Sequence, residues 1–399
     1  MNSFLRLVPL ALAALLSACH SNTKSVVKVQ ISLPVASHPK APAASPGSST
    51  SFYRQYRGVH PSSADTLELH LLVAPQPHLN AEFLEAIATY YGSDGHPYRL
   101  MVSQNVPDSL LLTDISPEMA LEGKTSPNWR LHYEKRGLVG TLNGQRIQLQ
   151  EVHPIGSLSF DVRQYVDSVV AFPGVEDSPL GYISLQALVP KGATPALEIS
   201  LLHSSQPTER PAFPQPAHWA KQCLAFKKEY QQAAKSMRQE AEKEGPADDS
   251  EKPFSNELNQ TQQEAAYVLW NRAPLLSIGV FHAAYTGGAH GSYSTQVVTY
   301  NTRNGQQIRF DDVFRPGTDA QLSRMLDRAV RLTMGIEEDE PLDKTLSVAH
   351  MPVTHNVYFT SGGAVFVYSP YEIASFGEGE VHVFVPLAEL KPLMTAPLI

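Results

Sequence analysis

The 399-residue sequence has only two cysteines, Cys19 and Cys223. That is too few for a disulfide-rich scaffold or a cysteine-based zinc cluster. Charge is sparse as well: 18% of residues are Asp, Glu, Lys or Arg, with 31 cations against 39 acids and a net of -8. An acidic balance disfavours nucleic-acid binding, which needs cationic surface to displace counterions. There is no phosphate-cradling glycine loop, HExxH helix or GxSxG elbow. The 15 histidines are scattered singly, without a dense metal-storing tract. No repeat of solenoid length occurs. Apolar residues are plentiful at 42%, enough to bury a core and exclude wholesale disorder. The length predicts two or three domains of about 150 residues each.

Residues 1–18 read MNSFLRLVPLALAALLSA, with one cation, Arg6, then an apolar run from Leu7 to Leu16. Spanning a bilayer takes about 20 apolar residues, so this shorter run has the shape of a secretory signal. It ends in Leu16-Ser17-Ala18-Cys19, which resembles the lipobox of bacterial lipoproteins. That resemblance implies removal of residues 1–18, lipidation of Cys19 and membrane attachment through the lipid anchor. Two or three acyl chains anchor firmly where one is marginal. No second run of spanning length follows, so the body is expected outside the cytoplasm. His20 after the cysteine, rather than Asp, points to the outer membrane of a two-membrane cell. Residues 20–50 hold four Pro, seven Ser and no aromatic residue. They read as a flexible tether, completing a 19–50 segment that would hold the body roughly 30 Å from the membrane.

Residues 1–50 contain four cations and no acid, so residues 51–399 carry 27 cations against 39 acids, a net of -12. The acidity belongs to the body and favours cationic partners within a Debye length of about 8 Å.

Residues 51–204 read as a β-rich barrel or sandwich module. Thr66–Leu72 alternates and then turns apolar throughout, as a strand does. Leu138–Gln150 carries Asn143-Gly144 between two alternating arms, the strongest short hairpin signal. Further strands are predicted at Tyr98–Val102, Ser157–Val162, Tyr182–Ala187 and Ala196–Leu202, and a helix at Ala81–Tyr91. A Pro- and Ser-rich stretch, His203–Pro216, marks a boundary. Beyond it, Trp219, Cys223, Phe226, Tyr230, Ala233 and Met237 fall on one helical stripe. Cys223 then reads as a small buried core residue, not a nucleophile. Residues 215–399 read as a second, αβ region. Strands are predicted at Leu275–Tyr285, Thr295–Tyr300 and Gln307–Phe310. Thr318-Asp319 caps a helix with apolar Leu322, Met325, Leu326, Ala329 and Val330. Ser361-Gly362-Gly363 joins a hairpin of Val357–Phe359 and Ala364–Tyr368, and Val381–Val385 is a final strand. Glu337–Glu340 lacks the alternating ligands of a calcium loop and reads as a solvated segment.

Two strings carry the candidate chemistry. In Tyr285-Thr286-Gly287-Gly288-Ala289-His290-Gly291, glycines surround a histidine that serves either as a ligand or base, with His282 as a possible companion, or as the hydrogen-bonded clasp of a turn. The turn reading is favoured, because geometry rather than residue type defines a site. In Ser369–Glu380, Glu372 is the carboxylate expected to be held by structure. A glycosidase needs a second carboxylate at a defined distance, which sequence does not supply.

YTGGAHG, then NTRNGQQIRFDDVF, then SPYEIASFGEGEVHVFVP, in that order, resemble the extracytoplasmic domain of RsiV-like proteins. The same module stands beside the catalytic domain of PdaC-like peptidoglycan deacetylases. The resemblance covers roughly residues 215–399 and implies an α+β fold, an antiparallel sheet packed by helices. In RsiV this domain recognises lysozyme, and that binding triggers proteolysis that frees a sigma factor. The present chain shows no sigma-binding segment and no deacetylase catalytic region, so neither activity carries over. What the resemblance implies is a binding surface at Tyr285, Gly287, Gly288, His290, Gly291, Tyr371 and Glu372.

The expectation is therefore an α+β protein, a β-rich barrel or sandwich followed by an antiparallel sheet packed by helices. Its expected work is non-enzymatic binding at the cell envelope, with a cationic lysozyme-like protein or a peptidoglycan glycan as partner. No catalytic residue, metal or cofactor is assigned, and nucleic acid is not a partner. Two alternatives stand beside it: a cell-wall hydrolase or deacetylase using His290 and Glu372, and a structural or assembly lipoprotein.

Overall fold

The computed structural model describes residues 51–74, 86–106, 108–116, 128–204, 215–244, 258–395 and 398. Cys19, the signal and the tether lie outside the described residues. Among the described residues, no helix is long and apolar enough to cross a membrane.

The N-terminal strands form a closed antiparallel barrel in simple sequence order: β1 Phe52–Val59, β2 Thr66–Val73, β3 Ala86–Tyr91, β4 Pro97–Val106, β5 Ser109–Asp114, β6 Trp129–Glu134, β7 Gly137–Leu142 and β8 Gln145–Val152. β1 closes the barrel by pairing Gln55–Gly58 with Leu149–Val152. Closure removes the exposed strand edges that an open sheet would leave. Tyr56, Leu69, Leu71, Leu110, Trp129, Leu131, Leu138 and Leu149 fill one core, each 1% exposed or less. The Asn143-Gly144 turn forms as expected, with φ of 50° and 77° and Leu142 opposite Gln145. Strand β2 alternates Leu67, Leu69 and Leu71 into the barrel with Glu68, His70 and Leu72 outward. Those outward residues are buried too, because a second sheet lies against them. That double burial is why β2 reads apolar or paired throughout.

The predicted helix at Ala81–Tyr91 is corrected: Ala86–Tyr91 is β3, and residues 81–85 lie outside the described set. Its Ile, Thr and Tyr residues suit a pleated surface, and pairing on both sides overrides the weak helical spacing.

The second layer is a six-stranded sheet in the order β14-β13-β12-β11-β10-β9. Its strands are β9 Ser159–Val170, β10 Leu180–Lys191, β11 Thr261–Arg272, β12 Leu275–Tyr285, β13 Ser292–Asn301 and β14 Gln307–Ile308. β9 and β10 fall within the 51–204 segment, yet they hydrogen-bond into this sheet, β10 running parallel to β11. The predicted strand at Ala196–Leu202 is instead part of helix α1, Pro195–Ser204. Thr194 Oγ1 accepts the Leu197 N–H at 3.3 Å, and Pro195 stands at the first helical position. This cap-then-proline start is a helix signal that outweighs the apolar run.

Helix α2, Gln215–Glu244, lays Trp219, Cys223, Phe226, Tyr230 and Ala234 against Val169, Ile183, Leu185 and Leu258. Lys227 pairs with Asp167 of β9 at 2.7 Å, and Tyr230 donates to the Leu258 carbonyl at 2.7 Å. Cys223 is buried, and burial pushes its thiol up to about 11, so the thiolate is disfavoured.

The third layer is a small antiparallel sheet, β15 Val357–Phe359, β16 Gly363–Tyr368 and β17 Val381–Pro386. Short helix α3, Phe310–Val313, precedes α4, Asp319–Met334, and α5, Leu387–Leu390, ends the region. α4 buries Leu322, Leu326 and Val330 in one core with Phe359, Phe366 and Val383. Gly335 ends α4 at φ 63°, where its N–H reaches the Arg331 carbonyl.

Two of the joints between the barrel and the C-terminal layers show how they are locked. Glu68 accepts hydrogen bonds from Arg57 at 3.0 Å and from Arg272 of β11, and its other oxygen meets His70 Nε2 at 3.1 Å. Gln55 donates to the Asn271 carbonyl at 2.9 Å. Burial raises the Glu68 carboxyl, but His70, Arg272 and Arg57 outweigh burial and hold it at about 2. The second joint is backbone against backbone. A Cβ on Gly362 would sit 1.6 Å from the Asp94 carbonyl oxygen, and Thr360 donates to the Gly95 carbonyl at 3.1 Å.

Candidate functional site

The loop after β12 and the loop before β17 meet on the surface, and His290 is the meeting point. Gly287 and Gly288 take φ of 97° and 94°, a path other residues rarely follow. The loop is then fixed from within, Tyr285 donating to the Gly288 carbonyl at 3.0 Å. His290 Nδ1 donates to the Gly291 carbonyl at 2.8 Å, which leaves Nε2 as the acceptor for the Tyr371 hydroxyl at 3.1 Å. Both ring nitrogens are therefore hydrogen-bonded. The imidazole stacks on Phe376, centroids 4.0 Å apart and planes at 20°. Tyr371 and Tyr293 complete the cluster at 5.7 Å and 5.6 Å from the Phe376 ring.

Tyr371 is 63% exposed and sits at φ 70°, in the left-handed region. For a tyrosine this conformation costs about 1–2 kcal/mol. The tight turn enforces it: Tyr371 N–H bonds the Ala374 carbonyl at 3.1 Å, and Glu372 N–H bonds the Ser369 carbonyl at 3.0 Å. A large exposed ring held in a strained turn is a feature that packing does not require. Glu372 and Glu378, on the same loop, are both exposed.

Glu372 is held as expected, accepting the Ser369 N–H at 2.9 Å, but it faces its own turn and is exposed. The carboxylate bound into the fold is Glu380, 8% exposed. One Glu380 oxygen accepts the Thr295 N–H at 2.5 Å, and the other accepts the Thr295 hydroxyl at 3.0 Å. Asn356 continues this pattern on the same edge of β13, accepting from Val297 N–H at 2.9 Å and donating to the Thr295 carbonyl at 2.8 Å. Side chains thus supply partners that a further strand would give, and they bind the small sheet to the edge of the large one. Burial raises the Glu380 carboxyl, but His382, Arg99 and Thr295 outweigh it and keep it below the ordinary value. Arg99 comes from barrel strand β4 and donates to the Glu380 carbonyl at 3.4 Å.

The geometry therefore brings together His290 and Tyr371 from the predicted set, with Tyr285, Gly287, Gly288 and Gly291 shaping the first loop. It does not pair His290 with Glu372. Phe376, Tyr293 and Glu380 were not singled out by sequence. Phe376 and Glu380 had as their only signal membership of the Ser369–Pro386 string, and Tyr293 lay outside every string. His282 faces Glu264 at 3.8 Å instead of joining His290. An imidazole with both nitrogens bonded, an exposed tyrosine and a stacked phenylalanine are suited to contact.

No curated protein matches the chain. Residues 209–293 match the family model described as deacetylase PdaC, and residues 311–388 match that of a protein of unknown function, DUF3298. A DUF3298-family crystal structure from Bacteroides fragilis superposes with a TM-score of 0.53 at 21% identity, covering 61% of this chain and 96% of that one. A second, from Pseudomonas aeruginosa, has a TM-score of 0.39 at 19% identity, covering 59% of this chain and 94% of that one. The chain thus carries a PdaC-like segment followed by a DUF3298 segment, and it shares its fold with the Bacteroides member of the DUF3298 family.

Proposed function

We propose that this protein is a non-enzymatic, lipid-anchored binding module of the cell envelope, whose recognition surface is the face where the His290 and Tyr371 loops meet. The observation that carries this reading is Tyr371 itself, an exposed ring kept in a strained turn beside a stacked His290–Phe376 pair. The favoured partner is a basic protein. Tyr and Phe faces attract Lys and Arg, and Glu372 and Glu378 on the same loop add complementary charge. The body, at -12 over residues 51–399, supports the same choice. The RsiV-like resemblance makes lysozyme the first protein to try. Attachment through Cys19 rests on the lipobox alone. The test is calorimetric titration of the protein with lysozyme at low and high salt, using wild type and Tyr371→Ala. Binding that weakens with salt and is lost in the variant supports the proposal. Absence of binding at low salt overturns the basic-protein version. Saturable binding of peptidoglycan fragments with no lysozyme binding would move the ligand assignment to the glycan.

A further inference from the structure

The large sheet ends at β9, a 12-residue edge strand whose outer side no strand covers among the described residues. The ladder shows which of its groups face outward. Ala171, one residue past β9, donates to the Pro179 carbonyl at 2.9 Å, so odd-numbered positions bond inward to β10. Even-numbered positions face outward. Two of them have side-chain partners: the Val162 carbonyl accepts the Ser51 hydroxyl at 3.2 Å, and the Ser168 N–H reaches Asp167 Oδ1 at 2.8 Å. Between them, no hydrogen bond reaches the outward backbone groups of Gln164 and Val166 among the described residues. Such a row is a template for one more strand. β9 also alternates: Phe160 and Val162 are buried in one core with Leu72 of the barrel, while Asp161, Arg163 and Tyr165 are exposed.

Ser51, the first described residue, sits on this edge. The residues before it divide sharply in composition. All four prolines of residues 20–50, Pro34, Pro39, Pro42 and Pro46, lie in 34–50. Residues 25–33, SVVKVQISL, contain no Pro or Gly, and Val27, Val29, Ile31 and Leu33 alternate with Lys28, Gln30 and Ser32. That is the pattern of a half-buried strand.

We propose that Val27–Leu33 adds to the outer edge of β9 as a further strand of the large sheet, its apolar face beside Val162 and Val166 and its polar face beside Arg163 and Tyr165. Direct neighbours on adjacent strands share a face, so the alternation of the segment matches that of β9 in this setting and is inverted by a one-residue slip. Residues 34–50 can stretch to about 55 Å, well beyond the roughly 20 Å between Val162 and Ser168. A strand held by so short a linker meets the edge at about millimolar effective concentration, which favours it over a second copy of the chain in dilute solution. On the lipid-anchored reading, on which the added strand itself does not depend, only residues 20–26 would then separate Cys19 from the body.

The experiment is residue-resolved amide hydrogen exchange on the full-length protein, comparing wild type with the triple variant Val27→Asn, Val29→Asn, Ile31→Asn. The Gln164 and Val166 amides are expected to exchange slowly in wild type and at least about tenfold faster in the variant. The Arg163 and Tyr165 amides, bonded inward to β10, stay slow in both proteins and report that β9 itself is intact. Equal exchange at Gln164 and Val166 in the two proteins overturns the proposal, whether both are slow or both fast. Protection that grows with protein concentration also overturns it and assigns the edge to a second copy.

Discussion

Replacing Glu380 by alanine tests how the two site loops are held in register. The carboxylate receives the Thr295 N–H and the Thr295 hydroxyl, and Thr295 lies on β13, the strand that follows the His290 loop. Glu380 itself ends the loop that carries Tyr371 and Phe376. Alanine leaves a buried N–H without an acceptor and obliges the hydroxyl to find a new partner, at about 1–3 kcal/mol for each group. Removing one partner of a buried charged network costs about 3–5 kcal/mol in comparable cases. We therefore expect Glu380→Ala to lose about 3–5 kcal/mol. Glu380→Gln keeps one acceptor for the N–H and loses about 1–2 kcal/mol. The sign with pH follows from the depressed carboxyl. Its contribution is present above the ordinary value of 4.5 and is lost as pH falls through the lower folded value. The alanine variant lacks that acid-dependent loss. The assay is urea unfolding by tryptophan fluorescence and circular dichroism at pH 7 and pH 4, with coincident transitions as the condition for a single free energy. A loss under about 1 kcal/mol for Glu380→Ala, with an unchanged pH profile, would refute the reasoning.

Tyr371→Asn suits the left-handed turn, so stability at neutral pH stays within about 0.5 kcal/mol or rises, while binding at the two-loop face is lost. A destabilisation of more than about 2 kcal/mol in thermal melts would show that the ring serves the fold instead. Gly362→Ala drives a methyl into the Asp94 carbonyl and forces apart the barrel and the small sheet. The expected loss is about 3 kcal/mol or more, read as faster proteolysis between the layers, and wild-type resistance would contradict the joint.

The fold was legible in the sequence where periodicity and turn chemistry agreed. The Asn143-Gly144 hairpin, the α4 core positions and the α2 stripe stand where spacing put them, except that Ala234 rather than Ala233 is the buried alanine of α2. Ala86–Tyr91 and Ala196–Leu202 were misread because short apolar runs satisfy both periods, and pairing or a Thr194-Pro195 start decided them. The assignment of β9 and β10 to the large sheet was hidden, since a parallel pairing across more than 60 residues leaves no local mark. At the site, glycine spacing singled out the His290 loop, and Tyr371 entered only through the family resemblance. The choice between Glu372 and Glu380 was not legible. Both are glutamates in one loop, and only the position of the β13 edge, an outcome of tertiary packing, makes Glu380 the buried partner.

The recognition claim is tested most directly by one titration, lysozyme into the protein at low salt, with Tyr371→Ala alongside. The account predicts saturable binding by the wild type, weakened by added salt and absent in the variant. Equal binding by wild type and Tyr371→Ala, or no binding by either, would contradict it.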